Sequence, residues 1–399
     1  MSNRSIRTVA LALMMGVALA AAGQAGNPRV YREGNSWVEE SSGALPSAHS
    51  LRVDAAVGSV RVQGGAAGGT YTVKKRAFVS SEQAARREFE DFRISVSQQG
   101  DAAVLRAEFG RGGAHRFSAD FVVHVPREQE LVKVETRGGS VGVNNIAGRV
   151  ESETAGGAIN LDGIGGAIVA TTMGGSIGVG TGGGEAILKS AGGSISVQQV
   201  GGRLIATTYG GSVEVGTARQ VATIESMGGA IRVRQTGGDL HAVTAGGNIE
   251  AGEVGGAATL RTAGGSIRLA SAKGAVQAET AGGSITLLKM QKGVRAATAA
   301  GGITAELLGR DLSDSALETT AGDITVYLAS NVACSVRAAI EMASGHKIKS
   351  DFPELKITTE GSGFGARHWD AQGMLNGGGP MLRLRTSAGD IEILRAAAH

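Results

Sequence analysis

The six residues TAGGSI occur at 262–267 and again at 280–285, with SAGGSI at 190–195. A glycine pair of this kind can cradle phosphate when it leads into a helix N-terminus, where free backbone N–H groups and the helix dipole meet the anion. No helical pattern follows any of these pairs, so the glycines are expected to serve as corners between strands, where a sharp turn needs a backbone angle that other residues adopt only with strain. A hydroxyl stands two residues ahead of every pair: Thr136, Thr154, Thr172, Ser190, Thr208, Ser226, Thr244, Thr262, Thr280 and Thr298. Such a column either forms a ladder that satisfies corner backbone groups or, on an open flat face, matches a repeating surface such as ice. The adjoining column runs Glu135, Glu153, Thr171, Lys189, Thr207, Glu225, Val243, Arg261, Glu279. Its mixed charge spoils a lattice match and favours the ladder.

Other chemistries find less support. The seven histidines are scattered without metal-ligand spacing, and the calcium-binding β-roll needs an aspartate in every turn that these turns lack. No cofactor is implied. Cys334 is the only cysteine, so no intramolecular disulfide can form, and its flanks NVACSVRAAI have the pattern of an ordinary apolar strand. An alternating outward column, Glu214, Arg232, Glu250 and Arg268, predicts cross-strand ion pairs and not the two acids flanking one groove that glycoside hydrolysis requires. The most site-like patch is RHWDAQG at 367–373, where Arg367, His368, Trp369 and Asp370 are expected to gather in a glycine-rich loop that could contact a sugar or protein partner.

These columns exist because the sequence repeats. The first glycine of the pair falls at Gly138 and then at every eighteenth residue to Gly282, and Ala300-Gly301 continues the phase. Within each unit an apolar residue follows at the third position (Ile195, Val213, Ile231), and a second one two residues later (Val197, Val215, Val233). A weaker turn and a second short strand complete the unit, as in GRLIATT at 202–208. One unit cannot bury its own apolar side, whereas stacked units can, each strand pairing in parallel with its equivalent one coil away. The expected fold is therefore all-β, a single-chain parallel β-solenoid of about ten 18-residue coils. At ~4.8 Å per coil it would make a rod roughly 48 Å long with a narrow interior.

The 65 glycines and 5 prolines fit neither collagen nor a disordered chain once this periodicity is seen. Lys and Arg (39) nearly balance Asp and Glu (36), without basic runs, which gives no electrostatic indication of nucleic acid or anionic lipid as a partner. Arg4 and Arg7 followed by TVALALMMGVALAAAG (8–23) predict a secretory signal peptide over 1–25, with no membrane span in the mature chain. Residues 26–48 are expected to be a linker and 49–135 a β-rich cap with one helix at 80–92, Ser80 and Gln83 having capping-box spacing. The regular repeats occupy 136–305, and irregular C-terminal coils and a second cap occupy 306–399.

LRVDAAVGSVRVQG, FVVHVP, rungs such as ETAGGSITL, KSDFP and the terminal GGGPMLRLRTSAGDIEIL, in that order, resemble the bacterial putative-adhesin family, over roughly residues 45–395. That family is an exported domain of unknown function built of β-strand repeats. The resemblance implies a β-solenoid in the cell envelope, at the cell surface or secreted, with some relatives associated with envelope-stress systems. It carries over no catalytic residues. The expected function is a non-enzymatic envelope rod presenting an elongated surface to a glycan or protein. The alternatives are a polysaccharide lyase or glycosidase on a β-helix, and a sensory spacer in envelope stress. The uninterrupted rungs from 138 to 303 lack the inserted loops from which such enzymes build a cleft.

Overall fold

The computed structural model describes residues 28–110, 116–310, 312–342, 345–360 and 368–396; the expected signal peptide and Arg367 lie outside them. Two parallel sheets face each other across one apolar interior in a β-solenoid of about eleven turns of about 18 residues. In each coil the strand that follows the glycine pair, such as Val213–Ala218, belongs to a leading sheet. The next strand, such as Ala222–Ser226, belongs to a trailing sheet. Register follows the sequence period: Val213 lies beside Ile231, and Ala222 beside Leu240, eighteen residues on. The step of eighteen holds from Val141 to Ile303 and then widens, Ile303 pairing with Ile324.

The interior is narrow because six inward positions per coil fill it, three from each sheet. The trailing sheet contributes a size pattern. Its first inward column reads Ile168, Ala186, Leu204, Ala222, Leu240, Ala258, while its second reads Ala170, Leu188, Ala206, Ile224, Ala242, Leu260. Every one of these is buried. Each of these strands thus holds one large and one small side chain, and the order reverses from coil to coil, so from Leu188 to Leu260 every large residue has alanine on both sides along its own column. Ser152 sits in the second column beside Val134 and Ala170, its buried hydroxyl without a hydrogen-bond partner among the described residues.

The glycine pairs are corners, as expected, but for a different reason. A backbone angle strained for other residues would show as a positive φ, yet no glycine of the pairs from Gly138 to Gly283 has one. What excludes a side chain is close approach along the rod. A Cβ on the second glycine would lie 2.1 Å from the carbonyl oxygen of the equivalent glycine one coil back, as at Gly193 against Gly175. At the first glycine, Gly192, the nearest atom would be 3.4 Å away.

The hydroxyl column is inward and buried, and it holds these corners together. Thr208 Oγ1 donates to the Gly193 carbonyl of the preceding coil at 2.8 Å and accepts from the N–H of its own Gly211 at 3.2 Å. The same two bonds recur at Thr154, Thr172, Ser190, Ser226, Thr244, Thr262 and Thr280. Both groups would otherwise be unpaired at a tight turn. A surface threonine lattice is thereby excluded.

Both ends depart from sequence order. At the N-terminal end, Ser50–Ala55 and Ser59–Gly64 form a coil that stacks between the coil of Ala102–Phe109 and Phe117–Val125 and that of Leu131–Thr136 and Val141–Ile146. At the other end, Met381–Ala388 lies between Ser315–Ala321 and Cys334–Ile340, and Ile391–Arg395 between Ile324–Leu328 and Ile348–Ser350. The hydroxyl bond follows the stacking and ignores the chain: Thr136 reaches the carbonyl of Gly58, and Thr386 that of Gly322.

Residues 29–44, within the stretch expected to be a linker, instead form a hairpin (Arg29–Glu33 and Ser36–Ala44) that pairs antiparallel with Thr70–Ala77. Ser36 and Val38, two residues apart on one face of its second strand, are buried, while Trp37 on the other face is half-buried. The helix spans Glu82–Asp91 and is capped by Ser81, one residue later than Ser80; Ser81 Oγ accepts from Ala84 N–H. Ala85 and Phe89 face the sheet, as their spacing predicts, while Phe92 opens the next strand. Phe89, Phe92, Phe109, Phe117 and Phe121 close the end of the interior as one aromatic cluster.

Candidate functional site: a groove along one corner

On the trailing sheet the second outward column, which holds Thr207, Glu225, Val243 and Arg261, lies next to the corner that carries the glycine pair. Between them stands the residue that follows each hydroxyl: Arg137, Ala155, Met173, Ala191, Tyr209, Met227, Ala245, Ala263 and Ala281. Because the hydroxyl turns inward, the outward residues before and after it form two rims with a trough between. Three stretches of trough lie along this corner of the rod. The N-terminal part, about 420 Å³, is lined by Asp54, Arg106, Glu135, Glu153 and Met173. The central part, about 580 Å³, lies between Thr207, Glu225, Val243 and Arg261 on one rim and Tyr209, Met227, Ala245 and Ala263 on the other. The C-terminal part, about 690 Å³, extends over Thr280, Ala281 and Thr298 to Glu318, Glu341 and Arg385.

Tyr209 is the only Phe, Trp or Tyr between residues 138 and 303. It is 61% exposed, as is Met227 on the next coil. The half-buried Val169, Ile187 and Ile205 form an apolar band on the same sheet, in register with one another. The opposite sheet is charged at this height. Glu214, Arg232, Glu250 and Arg268 are neighbours in register as predicted, and Arg232 Nε meets Glu250 at 3.3 Å. Exposed as it is, that pair adds little stability. Along the groove Arg261 Nε pairs with Glu279 at 3.2 Å. Beyond it the Arg385 guanidinium, and then the Ser387 hydroxyl, hold the Glu341 carboxyl below the usual carboxylate range.

The patch singled out in the sequence lies at the C-terminal end of this groove. Its described residues are on a strand, His368–Leu375, and not in a loop, because they pair antiparallel with Cys334–Ile340 on one side and Lys356–Glu360 on the other. His368 Nε2 and Asp370 Oδ2 are brought together at 3.0 Å. Asp370 is in register with Ala339 and through it with Arg385, which places it in the groove's outward column. Trp369 points the other way and packs half-buried against the interior. Tyr209 and Met227 escaped the sequence reading. The available signal was a lone aromatic at a corner position that is alanine in most coils.

Cys334 is buried, and burial pushes its thiol from an ordinary value near 9 up to about 11. The folded state therefore keeps the proton that the unfolded chain gives up. The stability gained from the neutral buried thiol is complete below pH ~9 and is lost as pH rises toward 11. Alkylation of Cys334 in the folded chain at pH 8 is expected to run about a hundredfold slower than in the urea-unfolded chain. The rate should climb about tenfold per pH unit without levelling before pH ~10. A plateau near pH 8.5 would show an accessible, ordinary thiol.

Among the described residues no group of three His, Cys, Asp or Glu is placed to hold a metal ion, and no helix is long and apolar enough to cross a membrane. No family model and no curated protein matches the sequence. Among solved structures, the chain is similar to a putative cell adhesion protein from Clostridium sporogenes at 9% identity, covering 90% of this chain and 100% of that one, with a TM-score of 0.17. A putative adhesin from Bacteroides fragilis matches at 14% identity over 72% of this chain and 96% of its own, with a TM-score of 0.20. One from Parabacteroides distasonis matches at 11% over 73% and 92%, with a TM-score of 0.21. Likeness at this level transfers no residue roles, and the groove stands on its own geometry.

Proposed function

We propose that this chain is a non-catalytic rod of the bacterial cell envelope or surface that holds an extended partner, glycan or protein, along its corner groove. The observation that carries this is the repetition of the trough along one corner: the same two outward columns flank the inward hydroxyl in coil after coil, so a long partner meets several shallow contacts and no single deep pocket. Affinity from such a site is cumulative, each added contact acting at high effective concentration once the first has formed. Several features favour binding over turnover. The regular coils carry no inserted loops, the groove acids Glu279 and Glu341 are engaged by Arg261 and Arg385, and Cys334 is held away from its reactive form.

The test is retention on purified envelope fractions and a polysaccharide panel by the chain from residue 26 onward, with new sugar ends and unsaturated products scored in the same samples. Retention without products is expected, together with at least a tenfold loss of retention in Ala245→Trp. Position 245 is exposed on the groove rim, so the indole obstructs the trough without entering the interior. Product formation that survives repurification would overturn the proposal in favour of an enzyme. Unchanged retention in Ala245→Trp would move binding to the ends of the rod.

A further inference from the structure

Resting on that reading, we infer that the central groove is a subsite for a pyranose ring of a neutral, extended polysaccharide, whose apolar face lies on Tyr209. The argument begins with what the site can bury. Tyr209 and Met227, each 61% exposed on adjacent coils, offer on the order of 250 Å² of apolar surface between them. A stable protein interface needs about 800 Å² per partner, so this pair suits a sugar ring and falls short of a protein surface or a second copy of the chain. The trough floor supports the same conclusion. Thr208, Ser226 and Thr244 commit their hydroxyls to corner backbone groups, leaving an underside without free donors.

Hydrogen bonding must then come from the rim, where Thr207, Glu225 and Arg261 line the same space. One carboxylate and one guanidinium are the pair of groups that engage sugar hydroxyls, as acceptor and donor. Arg261 already pairs with Glu279 at 3.2 Å, so the Glu225 carboxylate is the excess charge of this stretch, and its sign disfavours an anionic ligand while leaving a neutral one free to enter. The shelf beyond, Ala245 and Ala263, has no bulk to interrupt a chain that continues along the rod. A polar partner alone would not explain an exposed aromatic placed where most coils carry alanine.

The experiment uses the chain from residue 26 and saturation-transfer NMR with β-1,4-linked glucose and N-acetylglucosamine hexasaccharides, and with polygalacturonate as the anionic arm. Transfer to ring C–H protons of a neutral hexasaccharide is expected. Tyr209→Phe, which keeps the ring, should bind as the parent does, and Tyr209→Ala should bind about tenfold more weakly. Equal binding by Tyr209→Ala, binding of polygalacturonate alone, or binding of neither class would overturn the subsite. Ala263→Trp separates this from the broader proposal. If envelope retention falls in Ala263→Trp but not in Tyr209→Ala, the groove is correct and the pyranose assignment is not. If neither variant changes retention, both are wrong.

Discussion

Gly247→Ala is expected to loosen the rod severely, while Gly246→Ala, one residue earlier, leaves its stability within ~0.5 kcal/mol or slightly improves it. The added methyl differs only in direction. At Gly247 it would sit 2.2 Å from the Gly229 carbonyl oxygen and 2.5 Å from the Ala230 nitrogen, whereas at Gly246 the nearest atom, the Gly228 oxygen, is 3.5 Å away. Backbone cannot swing aside as a side chain can. Relief requires the coils at this corner to separate, and separation breaks the bond that Thr244 Oγ1 donates to the Gly229 carbonyl. A cost of ~3 kcal/mol or more follows from overpacking against a fixed neighbour. At Gly246 the shorter list of unfolded conformations available to alanine acts in the stabilising direction. Repeat arrays need not unfold in one step, so the decisive measurement is native-state hydrogen exchange across the flanking coils. Exchange there should quicken about a hundredfold in Gly247→Ala and stay at the parent rate in Gly246→Ala. Equal behaviour of the two variants would refute the steric account of the pair.

A second large effect is expected from exchanging two residues without changing total volume. Leu204→Ala/Ala206→Leu would leave the first inward column of the trailing sheet with alanine at three successive coils, the new one lying between Ala186 and Ala222. In the second column the new leucine would lie between Leu188 and Ile224. One column gains a void and the other three large side chains in succession. Leu204→Ala alone should cost ~2–4 kcal/mol by leaving a cavity, and Ala206→Leu ~1–3 kcal/mol by crowding. The double variant should regain little of the sum, because the void and the crowding lie in different columns. Leu204→Ile, which keeps volume and place, should cost less than ~1.5 kcal/mol. Urea unfolding followed by circular dichroism measures all four. Full recovery in the double variant would mean that the interior accommodates volume wherever it falls, and that the alternation carries no stability.

Much of this architecture was written in the spacing. Eighteen-residue recurrence, β-branched columns and the hydroxyl ahead of each glycine pair are local and periodic, so the parallel stack and the inward ladder could be read directly. The order of the coils at the two ends could not. LRVDAAVGSVRVQG at 51–64 and LRLRTSAGDIEIL at 382–394 both carry the rung pattern, but parallel pairing joins equivalent positions whatever the chain distance between them. Nothing in a rung says which coil it will lie against. The true reason for the second glycine was hidden likewise, since its neighbour is the backbone of another coil and not anything adjacent in sequence. The groove was legible only in part: its column of Glu135 to Glu279 was visible as a mixed-charge face, while its concavity depends on the threonine between the rims turning inward. Asp370 was found by composition and reaches the groove only because its strand doubles back beside Cys334–Ile340.

The placement of the last coil bears on how the rod responds to tension. When the final coil of a solenoid lies on the outside, a pull on the C-terminus peels it off one hydrogen bond at a time, and the next coil becomes the new end. Here Met381–Ala388 and Ile391–Arg395 are clasped between coils on both sides in both sheets. A load applied at the C-terminus must slide these strands lengthwise past two neighbours each, shearing many backbone hydrogen bonds together, before any other coil is touched. The N-terminal hairpin can be stripped away, but the pull then arrives at Ser50–Gly64, which is clasped in the same manner. A rod built this way resists unravelling from either tip, which the proposed role of holding a partner along the groove would require under load.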